Sequence, residues 1–302
     1  MAFRKVPEPS YDKEVKNVLK GYVRARELII IQLLSLLENN GDPMKVNQQA
    51  SMLRQIDYIL SGLNAEVQAT IEEGILSNFK EGQAILSYSA GEYNSLAEAT
   101  EGIAFSQLAK ETIDSILADT FDDLLSATEL TSKRTKRIVR RVVQEQMKVD
   151  MARARGRKIM SKGIIEELTK QGLSKTIKEE GFVGIVDKKG RQWELNRYVD
   201  MVVRTKYKQA RFEGMRTKAI DDGYDLAVVS SHGAKDKCRK YEGMVISMNG
   251  ETKGYPTYQE LRRSNEIFHP NCKHTVFPIR DESVLTEEQR KESREKIAKY
   301  KK

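Results

Sequence analysis

Apolar residues recur at helical spacing over most of the first half of this chain. That feature restricts the fold most, because helices striped on one side must lay their stripes against one another. From Tyr11 to about Asn39 the stripe is Val15, Val18, Leu19, Tyr22, Ile29, Leu33, Leu36 and Leu37. It stops at Asn39, Asn40 and Gly41, after which Asp42 suits an N-cap and Pro43 the first turn of a second helix. That helix is expected to reach about Tyr88, with Leu53, Ile56, Ile59, Leu60, Leu63 and Val67 on its buried side. The two read as an antiparallel hairpin, with Gly74 and Gly82 leaving room for a bend. Helical spacing returns from Phe105 to Leu125, with Glu111, Asp114, Asp119, Asp122 and Asp123 forming an acidic, solvated face. A separate helix is expected from Ser132 to about Arg155.

Charge is concentrated in that last helix and just beyond it. Between Lys133 and Gly163 stand twelve Lys or Arg against two acids, a net of +10 where the whole chain carries +8, so the remainder is close to −2. Val139, Val143, Met147 and Met151 recur every four residues as an apolar seam, whereas Arg137, Arg140, Arg141, Lys148 and Arg155 fall elsewhere. One face packs and another presents cations, as in a helix lying against phosphates. No aromatic residue interleaves the basic run, so contact with double-stranded DNA would be backbone neutralisation without sequence readout. The competing reading is a solvated basic helix, or one paired with the acidic helix before it.

At Phe182 the period changes from 3.6 to 2. Val183 to Asp187 and Gln192 to Leu195 flank Lys188, Lys189, Gly190 and Arg191, a β-hairpin pattern with Trp193 in the second strand. A helix from about Arg197 to Asp221 follows, then strands at Leu226 to Ser231 and Val245 to Met248, a helix near Thr257 to Arg263, and a strand from His274 to Ile279. The fold class is therefore α+β, an elongated helical N-terminal region followed by a small α+β domain. The expected division is a helical region over 1–125, a basic helical region over 126–180, the α+β domain over 181–280 and a charged tail over 281–302. With 39% apolar residues the chain can build a core. Its longest apolar run, Leu28 to Leu37, is broken by Gln32 and Ser35 and is too short for a membrane span. Met1 to Pro9 carries charge and two prolines instead of a secretory signal, which places synthesis in the cytoplasm.

The densest chemical signal lies in the α+β domain. All three histidines and both cysteines of the chain fall between positions 232 and 274: His232, Cys238, His269, Cys272 and His274. Two cysteines cannot build a multi-bridge disulfide framework, and thiolate with imidazole is the donor set that tetrahedral zinc prefers. A structural zinc would suit a small, loop-rich domain. Two other readings stay open: a buried pair of unbonded thiols with histidines bonded at turns, and a Cys–His nucleophile.

Several motifs in order then resemble a known family. They are Gly190, Arg191, Gln192, Trp193, Glu194 and Leu195 through Tyr198; Val203, Arg204 and Thr205; Ser230, Ser231 and His232 through Cys238 to Tyr241, Glu242 and Gly243; Tyr255, Pro256 and Thr257; and His269, Pro270, Asn271, Cys272, Lys273 and His274 to Pro278. Over about 180–280 this resembles the phage minor capsid protein type 2 family, which is similar to the phage Mu protein F-like minor head proteins. The resemblance implies a non-enzymatic virion protein in few copies, bound to the portal inside the phage head and touching the packaged DNA. It would enter during head assembly in the host cytoplasm, with capsid or scaffold protein as further contacts and a role in DNA ejection. Many Mu F-like relatives carry CxxC ahead of the histidine–cysteine motif. Here the first position of that pair is Lys235, so His232, His269 or Asp236 would complete a metal site. Two alternatives from other classes are a zinc-dependent nucleic-acid enzyme with Glu242 as its base, and a helical adaptor that binds only protein.

Overall fold

The helical spacing is realised as α1 (Asp12–Glu38), α2 (Val46–Ser89), the short α3 (Leu96–Glu101) and α4 (Gln107–Ala152). The hairpin β1 (Val183–Val186) and β2 (Gln192–Glu194) leads into α5 (Leu195–Asp221), followed by β3 (Leu226–Val229), β4 (Val245–Ser247), α6 (Tyr258–Arg263), β5 (Val276–Pro278) and α7 (Glu287–Tyr300). This computed structural model describes residues 9–38, 46–89, 92–152, 183–186, 192–269 and 272–300. The class is α+β, mostly helical with a small three-stranded sheet toward the C-terminus. Among the described residues no helix is long and apolar enough to cross a membrane.

The described residues divide into two compact units. One holds those of Asp12–Glu72 and Asp119–Val203; the other holds those of Glu73–Ala118 and Arg204–Lys302 with the few before Asp12. The units are thus assembled from separated stretches of chain.

In the first unit, Val15, Val18, Tyr22, Ala25 and Ile29 of α1 are buried with Met52, Ile56, Leu60, Leu63 and Val67 of α2. Leu124, Ala127, Val139 and Val143 of α4 and Leu195, Val199 and Val202 of α5 are buried there too. Asp57 on α2 accepts from Ser132 Oγ at 2.8 Å and pairs with Lys136 at 2.5 Å. Burial opposes ionisation of Asp57, but Lys136 and Ser132 outweigh it and hold the carboxyl below its ordinary value.

Two expected helices, Phe105 to Leu125 and Ser132 to Arg155, are one. The polar run Thr128 to Ser132 does not break α4, because Thr128 and Thr131 turn their hydroxyls back onto the carbonyls of Leu124 and Ala127 at 2.8 and 2.9 Å. The continuity also removes pairing of the basic face with an antiparallel acidic helix. Asp123 and Arg137 lie fourteen residues apart on one helix, or about 21 Å along its axis.

The second unit is built on an antiparallel sheet in the order β4-β3-β5. Leu226 pairs with Ser247 and Val228 with Val245 on one side of β3, and Ala227 with Pro278 and Val229 with Val276 on the other. Alternation along β3 sends Ala227 and Val229 into a core with Ala219, Ile246, Leu261 and Ile297, while Leu226 packs with Val245 and Ile279. Both faces of the sheet are covered. Just past the end of α5, Gly223 at φ +79° lets Tyr224 N–H reach back to Ala219 O at 2.6 Å.

Two features of this unit go beyond the sequence expectation. Gly74 and Gly82 permit close contact with the facing helix. A Cβ on Gly74 would lie 2.3 Å from the Tyr207 ring, and one on Gly82 would lie 2.0 Å from Arg211 O. On the facing helix a Cβ on Gly214 would lie 2.0 Å from Phe79 O, so α2 and α5 cross backbone to backbone through paired glycines. The segment after Asp281 is more than a charged tail: α7 buries Ser293 and Ile297, and Ser293 Oγ accepts from Val245 N–H at 2.8 Å.

Candidate metal centre

Three local structures deliver the site. Cys238 sits in a 3-10 turn, Lys237–Tyr241, capped by Asp236, whose carboxylate accepts from Cys238 N–H at 3.0 Å. Tyr241 closes that turn by donating to Glu266 at 2.7 Å, and Gly243, at φ +75°, turns the chain into β4. Cys272 and His274 lie on the approach to β5, where Cys272 N–H donates to His269 O at 2.9 Å. Lys208 of α5 donates to Cys272 O, and Thr275 O accepts from Ser230 N–H at 2.9 Å. His269 follows Phe268, a bulky residue at φ +56°. This conformation costs of order 1 to 3 kcal/mol and persists only where packing over-determines it. The Phe268 ring is held 4.8 Å from that of Tyr258.

These elements bring the thiols together. Cys238 Sγ lies 3.8 Å from Cys272 Sγ, and Cys272 Sγ lies 3.4 Å from His274 Nδ1. His269 Nε2 is 3.3 Å from Cys238 Sγ. The ligand atoms of Cys238, Cys272 and His274 fall within 4.8 Å of one another, as do those of Asp236, Cys238 and His269. His232 is placed otherwise: its group of three is with Glu242 and His274, and its ring lies 4.1 Å from that of His274. These clusters have donors that could hold a metal ion.

A buried carboxylate organises the other side of His274. Glu242 Oε1 accepts from His232 N–H at 3.0 Å and Ala234 N–H at 2.9 Å, and lies 3.2 Å from His274 Nε2. Burial alone would raise the Glu242 pKa, but the two backbone donors and His274 bring it down to about 2. His274 is moved upward, its burial being outweighed by Cys272 and Glu242. The thiols diverge. Burial, with Asp236 beside it, pushes Cys238 up, while His274 draws Cys272 below its ordinary value in spite of burial.

Cys272, His274 and Glu242 thus form a relay of the kind that activates a nucleophile. Access argues against that use, since Cys272 is 6% exposed and His274 1%, with a second thiol already against the first. Glu242 was legible only as a base for an alternative enzyme reading; its role beside His274 depends on a fold contact 32 residues away in sequence. Lys208 and Glu266, which hold Cys272 and the Cys238 turn, carried no local signal at all.

Of the basic residues singled out, Arg137, Arg140 and Arg141 are exposed on α4, while Val139 and Val143 on the same helix are buried. Lys148 lies near the end of α4, and Arg155 lies outside the described residues.

No curated protein and no solved structure matches the chain. A family model described as phage minor capsid protein 2 matches residues 44–301, which covers every element from α2 to α7, including the whole cysteine and histidine cluster, but not α1. Five ordered motifs and a match over most of the length agree, and the chain belongs to the phage minor capsid protein 2 family.

Proposed function

We propose that this virion protein works inside the phage head, docked on the portal and touching the packaged double-stranded DNA, with no catalytic role of its own. The family match carries the capsid assignment. The DNA reading is supported by the exposed Arg137, Arg140 and Arg141 on a helix that buries Val139 and Val143. Capsid or scaffold proteins are further contacts during assembly, and ejection of the DNA is the stage at which this face acts last. The α+β domain is held by one structural zinc. Two Zn–S bonds of about 2.3 Å at the tetrahedral angle place the sulfurs about 3.8 Å apart, and Cys238 and Cys272 stand at 3.8 Å. The enzyme reading is disfavoured because Glu242 Oε1, its base, already meets two backbone donors and His274.

DNA binding tests the reading directly. Binding should be indifferent to sequence and steep in salt, because each neutralised phosphate releases about 0.9 of a counterion. Changing Arg137, Arg140 and Arg141 together to Gln should flatten the log–log salt slope by roughly 2.5 to 3 units. Folding should be unaffected, since all three are exposed. A slope that survives the triple change removes α4 as the DNA contact.

Portal docking is expected to use the first unit, where Ile31 is 58% and Tyr58 76% exposed. Large apolar side chains left in water on paired helices suit a protein partner. Ile31→Asp with Tyr58→Asp should abolish co-purification with co-expressed portal while leaving the melting temperature within a few degrees. Undiminished co-purification would move the docking surface elsewhere.

A further inference from the structure

The imidazoles around the two thiols are not equivalent. A neutral imidazole carries one ring proton, and whichever nitrogen holds it cannot bind a metal. Glu242 Oε1 lies 3.2 Å from His274 Nε2 and so fixes the proton there, which leaves the Nδ1 lone pair on the side of Cys272 Sγ, 3.4 Å away. Glu242 is itself immobilised by the N–H groups of His232 and Ala234, and Lys296 of α7 donates to its carbonyl at 2.5 Å.

Starting from the zinc reading above, we propose that Cys238 Sγ, Cys272 Sγ, His274 Nδ1 and His269 Nε2 form the ligand set, with Glu242 the positioning residue that sets the tautomer of His274. His269 is chosen because its Nε2 already lies 3.3 Å from Cys238 Sγ; it groups with Asp236 and Cys238 and not with Cys272 and His274, so its ring must close on the ion when zinc binds. Asp236, the other group beside Cys238, is engaged in capping Cys238 N–H. His232 stays outside, with its Nδ1 3.9 Å from a carboxylate oxygen that His274 also meets. A metal-bound histidine whose second nitrogen meets a carboxylate is a common stabilising arrangement, and loss of such a partner weakens metal binding about 10- to 100-fold.

The test uses the full-length protein and zinc alone, with affinity measured by competition against a chromophoric chelator. Glu242→Gln and His269→Ala should each weaken zinc at least about 10-fold, and His232→Ala should leave it unchanged. Nitrogen-15 spectra of the zinc-loaded natural chain should show His274 protonated at Nε2 and bound through Nδ1. That measurement does not depend on how any variant folds. Zinc bound through His274 Nε2, or lost as readily in His232→Ala as in His269→Ala, overturns the assignment while leaving one structural zinc in place. A natural chain that takes up no zinc overturns the zinc reading itself, and this assignment with it.

Discussion

Gly214→Ala is expected to destroy the packing of the second unit. Its new Cβ would stand 2.0 Å from Phe79 O and 3.2 Å from Gln83 N, both backbone atoms of α2, so no side-chain rotation relieves the clash. The helices would have to separate, opening a crossing that buries Phe79, Met215 and Ala219. Overpacking typically costs 1 to 3 kcal/mol, and a backbone-on-backbone clash belongs at or above the top of that range, roughly 3 kcal/mol or more. Gly82→Ala should behave alike, since it strikes Arg211 O at the same crossing. Gly62 is the control: it lies in the same helix α2 with nothing within 4 Å of an added Cβ. Gly62→Ala should therefore stabilise by about 0.5 to 1 kcal/mol through helix propensity alone. Denaturant melts of the three variants check this, and Gly214→Ala melting like the natural protein would refute the close crossing.

Cys272→Ser should unfold the α+β domain and leave the α1–α2 hairpin helical. If the two thiols only packed together, the exchange would bury one hydroxyl and cost about 1 to 3 kcal/mol. Loss of a zinc ligand costs more, because metal binding supplies folding free energy directly. The two readings separate most cleanly on the natural chain. A chelator should lower the melting temperature of the domain by roughly 10 °C or more, a shift that corresponds to a few kcal/mol for a domain of this size, and restored zinc should reverse it. A melting curve indifferent to chelator would leave the buried thiol pair as the better account of Cys238 and Cys272.

Much of the fold was legible wherever the signal is local. The stripe from Tyr11 to Asn39 is α1, Asp12–Glu38, and the alternating residues around Trp193 pair as β1 and β2. Apolar periodicity and turn chemistry act over a few residues, so the residues that create such an element are also those that reveal it. The cysteine and histidine cluster was legible for the same reason of proximity in sequence, as were the exposed arginines of α4 beside their buried valines.

What sequence alone determined about this protein is therefore its helix-rich first half, its α+β ending, its family motifs and the set of residues from which a metal centre could be drawn. Only the tertiary structure decided how those pieces are used. It made Gly82 and Gly214, 132 residues apart, into one helix crossing. It carried α4 unbroken through Thr128 to Ser132, because backbone-bonded hydroxyls and the partner Asp57 make a polar run compatible with a buried helix. It seated α7 on the sheet through Ile297. It also divided three equivalent-looking histidines, placing His274 between a thiol and a carboxylate, His269 against the other thiol, and His232 beside Glu242. Most of these outcomes rest on a partner far away in the chain, such as Asp57 for Ser132, Glu242 for His274 and Cys238 for His269. Local patterning specifies which face of an element is apolar, but the group that meets it is set only when the whole core closes.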